Sequence, residues 1–166
     1  MMKRGQNGFT LIEILIVLAI TSVIVGPLAM ATTTLLTNPP RSADQNVVLS
    51  QVQNAGYWIS RDVQMASNVT PSGPTGFPLS LSIPVDSDKN HDLRVNYLYD
   101  GNKLKREVRD SSLTLISETL IADYIDTANT EFIDLASGRY KLTVRASRGQ
   151  AALTRSYEIK QRVSRF

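Results

Sequence analysis

Between Leu11 and Met30 the chain is apolar at every position except Glu13, Thr21, Ser22, Gly26 and Pro27. About 20 predominantly apolar residues are enough for a helix to cross a bilayer. Lys3 and Arg4 lie just before the run. The positive-inside rule therefore keeps the N-terminus cytoplasmic and sends the remaining chain outward, as a single-pass protein of the cytoplasmic (inner) membrane. A lone carboxylate in such a run costs roughly 2.5–3.5 kcal/mol if centrally placed, so Glu13 is a functional candidate that needs a partner.

The residues around it, Gly8-Phe9-Thr10-Leu11-Ile12-Glu13 after a short basic leader, resemble the signature of type IV prepilins and pseudopilins. The resemblance implies that a membrane-embedded prepilin peptidase cuts between Gly8 and Phe9 and N-methylates Phe9. It also implies that Glu13 pairs with the Phe9 amine of a neighbouring subunit during assembly. A buried carboxylate and a buried ammonium are each costly alone, and pairing removes most of both penalties. A subunit out of register leaves both charges unpaired, so the pair checks register more than it glues. Two plainer accounts compete. A conventional signal peptide would be cleaved at Ala29-Met30-Ala31, although the apolar segment exceeds the usual 7–15 residues. A signal anchor explains the hydrophobicity but not Gly-Phe-Thr-Leu-Ile-Glu.

Composition supports one exported domain behind the anchor. The 166 residues, 20% charged and 42% hydrophobic, have room for a single globular domain. There are no cysteines, which excludes disulfides and thiolate metal sites. Many pilins carry a C-terminal disulfide loop; this chain must close its fold by packing. The net charge of +3 falls to about +1 without Lys3 and Arg4, too little for bulk attraction to nucleic acid.

The expected organisation is a leader over 1–8, a transmembrane and filament-core helix over 9–37, an amphipathic helical half over 38–67 and a β-sheet domain over 68–166. Pro27 bends or loosens the first helix, and Asn38-Pro39-Pro40 is a stronger break. From Ser42 to about Ser67, Val48, Val52, Ala55, Ile59, Val63 and Ala66 recur at three- and four-residue steps as one apolar stripe. Trp58 flanks it as a core anchor, Ser42 or Asp44 caps its start, and Asn68 with Pro71 ends it. Strands are expected at 79–83, 93–99, 103–108, 113–118, 139–146 and 152–163, with a further short one near Glu131-Phe132-Ile133. Asp100-Gly101-Asn102 reads as a tight hairpin. In the last strand Tyr157, Ile159 and Val163 face one way, and Glu158, Lys160 and Arg162 the other. The fold class is α+β: a long N-terminal helix packed on an antiparallel sheet, which is the pilin fold.

A weaker resemblance covers Arg61-Asp62-Val63, Val95-Asn96-Tyr97-Leu98-Tyr99-Asp100-Gly101 and Leu104-Lys105-Arg106. These are similar to minor pilin W and the J-type pseudopilin of type II secretion, with Val63 and Gln64 replacing the end of their Arg-Asp-Leu-Arg. The resemblance implies a minor subunit that primes or caps a filament, with other pilins or pseudopilins, an assembly ATPase and its inner-membrane platform as partners, beside membrane lipid. The plain alternative for Arg61 and Asp62 is an exposed helix end without a role.

Asp86, Asp88, Asn90 and Asp92 place oxygen side chains at alternate positions, as the first half of a calcium loop does. His91 stands where such a loop wants Gly, and Tyr97 where it wants a bidentate Glu. A polar inter-strand loop is the simpler account, and Ca2+ is kept because family relatives use it. Charge is segregated as well. Asp110 to Asp134 contains acids and no Lys or Arg, whereas Arg139 to Arg165 is basic but for Glu158. Solvated strand faces are the plain account, lateral subunit docking the second and DNA, as in uptake pili, the third. No cysteine nucleophile, second histidine, phosphate loop or Gly-x-Ser-x-Gly is present, so a non-enzymatic subunit is expected. A secreted or signal-anchored extracellular binding domain, a DNA-uptake pilus subunit and a cell-surface enzyme built on a carboxylate pair are the alternatives.

Overall fold

The computed structural model describes residues 10–37, 39–85 and 92–162. The chain divides into two compact units, Met1–Arg41 and Ser42–Phe166. In the first, α1 spans Leu11–Thr37 and runs through Pro27. Its apolar side chains, from Leu11 to Leu36, are all more than half exposed. Such a surface has no place in water, and α1 is long and apolar enough to cross a membrane. Five of its hydroxyls are satisfied within the helix. Ser22 and Thr33 donate to carbonyls three residues back, and Thr21, Thr32 and Thr34 to carbonyls four residues back.

The second helix, α2, spans Pro39–Met65. It starts ahead of the Ser42 or Asp44 cap expected for its apolar stripe, because proline is tolerated in a first helical turn where its missing N–H is not needed. Ser42 and Asp44 are therefore helical residues and not caps; Asp44 instead pairs with Arg148 at 3.1 Å. Val48, Val52, Ala55, Ile59, Val63 and Ala66 form the expected stripe, and each is fully buried.

Among the described residues eight strands follow: β1 Asn68–Pro71, β2 Leu79–Ile83, β3 Leu93–Asp100, β4 Lys103–Arg109, β5 Leu115–Ala122, β6 Glu131–Asp134, β7 Arg139–Arg148 and β8 Ala151–Lys160. Asn68 and Pro71, expected to end the helix, bound β1 instead. Proline is admissible there because β1 is an edge strand. The hairpin is as read: Asp100 pairs with Lys103 across Gly101-Asn102, with Gly101 at φ 60°. β5 starts later than expected, since Leu113 lies in a turn at φ 68°. β8 ends at Lys160, so Arg162 is outside it, and Val163 lies outside the described residues.

The strands make two antiparallel sheets, not one: β1-β2-β3-β4-β5 and β6-β7-β8. They meet where Phe132 donates its amide to the Thr75 carbonyl at 2.8 Å. Gly76, at φ 80°, lets the backbones approach; a Cβ there would overlap the Phe132 carbonyl. Residues 124–126 bond to β7 through Ile125, Asp126 and Ser147, tying the end of β5 to the smaller sheet. Leu79, Leu81, Val95, Tyr97 and Leu104 from one sheet and Leu142, Val144 and Ile159 from the other share one core with the α2 stripe. The result is an α+β architecture consistent with the pilin fold.

Candidate functional site

Gly8 and Phe9 lie outside the described residues. Thr10 holds the cap position of α1, its carbonyl accepting the amides of Glu13 at 3.1 Å and Ile14 at 3.3 Å. Glu13 is exposed in the first turn, where the positive end of the helix dipole favours a carboxylate. Next to it begins the apolar surface of Leu11, Ile12, Ile14 and Leu15. One acid thus stands at the head of a helix whose other described side chains are apolar or hydroxyl-bearing and carry no charge. Residues 3–29 match the family model for the prokaryotic N-terminal methylation motif. No curated protein and no solved structure matches the chain. The methylation motif supports a type IV pilin- or pseudopilin-like protein, held in the membrane by α1, processed by a prepilin peptidase and assembled with other pilins. Proteins of that kind are structural subunits.

The second sequence feature, Arg61-Asp62, is not an exposed helix end. Arg61 is exposed, but Asp62 is only 1% exposed. Asp62 follows Ile59 by three residues, so helical geometry turns it with the stripe into the core. Tyr97 donates its hydroxyl to Asp62 Oδ2 at 2.6 Å, and Arg106 donates Nε to Oδ2 at 2.6 Å and Nη2 to Oδ1 at 3.3 Å. Burial first, and then the Asp62 charge, push the Tyr97 phenol far above its ordinary range. Burial works against the Arg106 charge, but the hydrogen bond and charge of Asp62 outweigh it and hold that guanidinium protonated. Arg106 also lies 5.3 Å from the Trp58 ring centre, and Arg61 lies 5.7 Å from it. Trp58 is thus a half-buried anchor clasped by two cations. The cluster fastens the end of α2 to β3 and β4.

Some of the segregated charges are paired inside the domain. Asp126 pairs with Arg145 at 3.2 Å, and Glu118 with Lys105 at 2.9 Å. Glu158 stands directly opposite Lys141 in the β7–β8 register. Of the four oxygen ligands read for calcium, Asp86, Asp88 and Asn90 lie outside the described residues, as does His91. Asp92 is half-buried at the start of β3, and no group of three metal-ligating side chains occurs among the described residues. Sequence reasoning missed the Asp62 cluster because its partners lie 35 and 44 residues downstream.

Proposed function

We propose that this chain is a non-enzymatic minor pilin or pseudopilin, related in role to minor pilin W and the J-type pseudopilin, that primes or caps a type IV pilus or type II secretion filament. The observation that carries this reading is the methylation motif over 3–29 on a helix long and apolar enough to cross a membrane, with one acid in its first turn. Maturation removes residues 1–8 and methylates Phe9. An ATPase-driven inner-membrane platform then draws α1 out of lipid into a bundle of like helices. That transfer exchanges one apolar surrounding for another and supplies little hydrophobic drive. Direction comes from the platform, and register from the pair between Glu13 and a neighbour's Phe9 amine.

The test is the N-terminal residue and intact mass of the protein taken from its native membrane. Methylated Phe9 is the expected result. A chain beginning at Thr32 would mean ordinary export and overturn the reading. An intact Met1 in a host that carries the peptidase would overturn it too.

A further inference from the structure

The inner face of β8 is interrupted at one residue. Its alternate positions Ala151, Leu153, Tyr157 and Ile159 are buried or half-buried, and Tyr140, Leu142, Val144 and Ala146 opposite them on β7 are all buried. Arg155 stands on the same face, directly opposite the fully buried Val144, and yet is exposed. It looks into an open groove of about 470 Å³ between α2 and β8, walled by Gln53, Tyr57, Ser60 and Arg61 on one side and by Arg155 and Tyr157 on the other.

The groove has three properties of a peptide cleft. Its two guanidiniums make no ion pair or hydrogen bond among the described residues, and no carboxylate lines it. Its floor is fixed, because the Tyr157 hydroxyl donates to the Val52 carbonyl at 3.1 Å above the bare Gly56. Its far wall is a free strand edge: among the described residues β8 pairs only with β7, so every second residue of β8 presents N–H and C=O groups away from that partner. An Arg on an edge strand repels another copy of the same edge and selects a strand of opposite charge.

We propose that this groove binds an acidic, extended peptide segment of a neighbouring subunit, laid along β8 with carboxylates at alternate positions meeting Arg61 and Arg155. Alternate residues of a strand share one face, which lets one segment present both acids to the groove. The source of the segment rests on the filament reading above; the groove itself does not.

The test uses the full chain in neutral detergent micelles and a fluorescein-labelled, acetylated Thr-Glu-Val-Glu-Thr peptide, read by fluorescence anisotropy. Saturable binding is expected, weakening as salt is raised. A loss of about tenfold or more is expected for the Thr-Gln-Val-Gln-Thr peptide and for Arg155→Gln and Arg61→Gln. Lys141→Gln, on the opposite face of the sheet, should bind as the unaltered chain does. Because both arginines are exposed, unchanged circular dichroism should accompany the loss. No binding, equal binding of the glutamine peptide, or binding indifferent to both arginine variants would overturn the proposal. Tighter capture of a short oligothymidylate through the same two arginines would overturn it in favour of nucleic acid. If protein from the native membrane proves unprocessed at Gly8 while the peptide still binds the purified chain, the groove stands and the neighbouring subunit falls as the source of the segment.

Discussion

Replacing Asp62 by Leu tests whether the buried pair fastens α2 to the larger sheet. Asp62 is 1% exposed and the Arg106 side chain 16%. Removing the acid therefore strands a guanidinium and a phenol that water reaches poorly. Breaking a buried pair from one side costs about 3–5 kcal/mol, against a total of about 5–15 kcal/mol for a domain. Asp62→Leu alone should remove about a fifth or more of the stability. The double variant Asp62→Leu with Arg106→Met removes both charges and leaves only the Tyr97 hydroxyl unsatisfied, at about 1–3 kcal/mol. Loss of the Arg106 contact with Trp58 adds about 0.5–1 kcal/mol. The double variant should thus be more stable than the single acid variant. Trp58 is the only tryptophan and sits in the cluster, so urea unfolding followed by its fluorescence reads the effect directly. Asp62→Leu within about 1 kcal/mol of the unaltered chain, or a double variant less stable than either single one, would refute the argument.

Three further outcomes are expected. Gly56→Ala places a Cβ into the Tyr157 ring and should cost about 1–3 kcal/mol, although alanine is the better helix former by about 1 kcal/mol. In a Tyr157→Ala background the same change should raise the melting temperature, and a loss there would contradict the packing account. Tyr97 titrates far above its ordinary range in the folded state through burial and the Asp62 charge. The stability it contributes is complete below about pH 10 and declines above it, as the unfolded chain ionises first. Tyr97→Phe should flatten that decline in urea titrations, and an unchanged slope would count against it. Glu13→Ala should leave leader removal intact but deplete the protein from filaments, measured as mature protein in membrane and filament fractions; normal incorporation would remove the register role.

The α2 stripe was legible because six apolar residues at helical spacing admit one buried face, and all six are fully buried. The same arithmetic includes Asp62, but a carboxylate in the core makes sense only beside Tyr97 and Arg106, and local pattern cannot name partners so far along the chain. The division into two sheets was not legible for a related reason. Alternation marks β5 and β7 as strands, but the split into two sheets depends on Phe132 meeting Thr75 and on residues 124–126 turning back to β7. β1 was missed because Asn68-Val69-Thr70-Pro71 carries turn residues that only an edge position permits. At the N-terminus the methylation motif is a local signal, read from contiguous residues without any fold.

The hydroxyls of α1 give that helix a further character. Thr21, Ser22, Thr32, Thr33 and Thr34 each donate to a carbonyl of their own helix. An unmet hydroxyl in hydrocarbon costs about 1–3 kcal/mol or more, and a helix that depended on outside partners would incur that cost whenever its surroundings changed. This helix makes no such demand. At these five positions it can slide, rotate or change neighbours without leaving a hydroxyl unmet. Specific recognition is thereby concentrated at its head, where Glu13 stands.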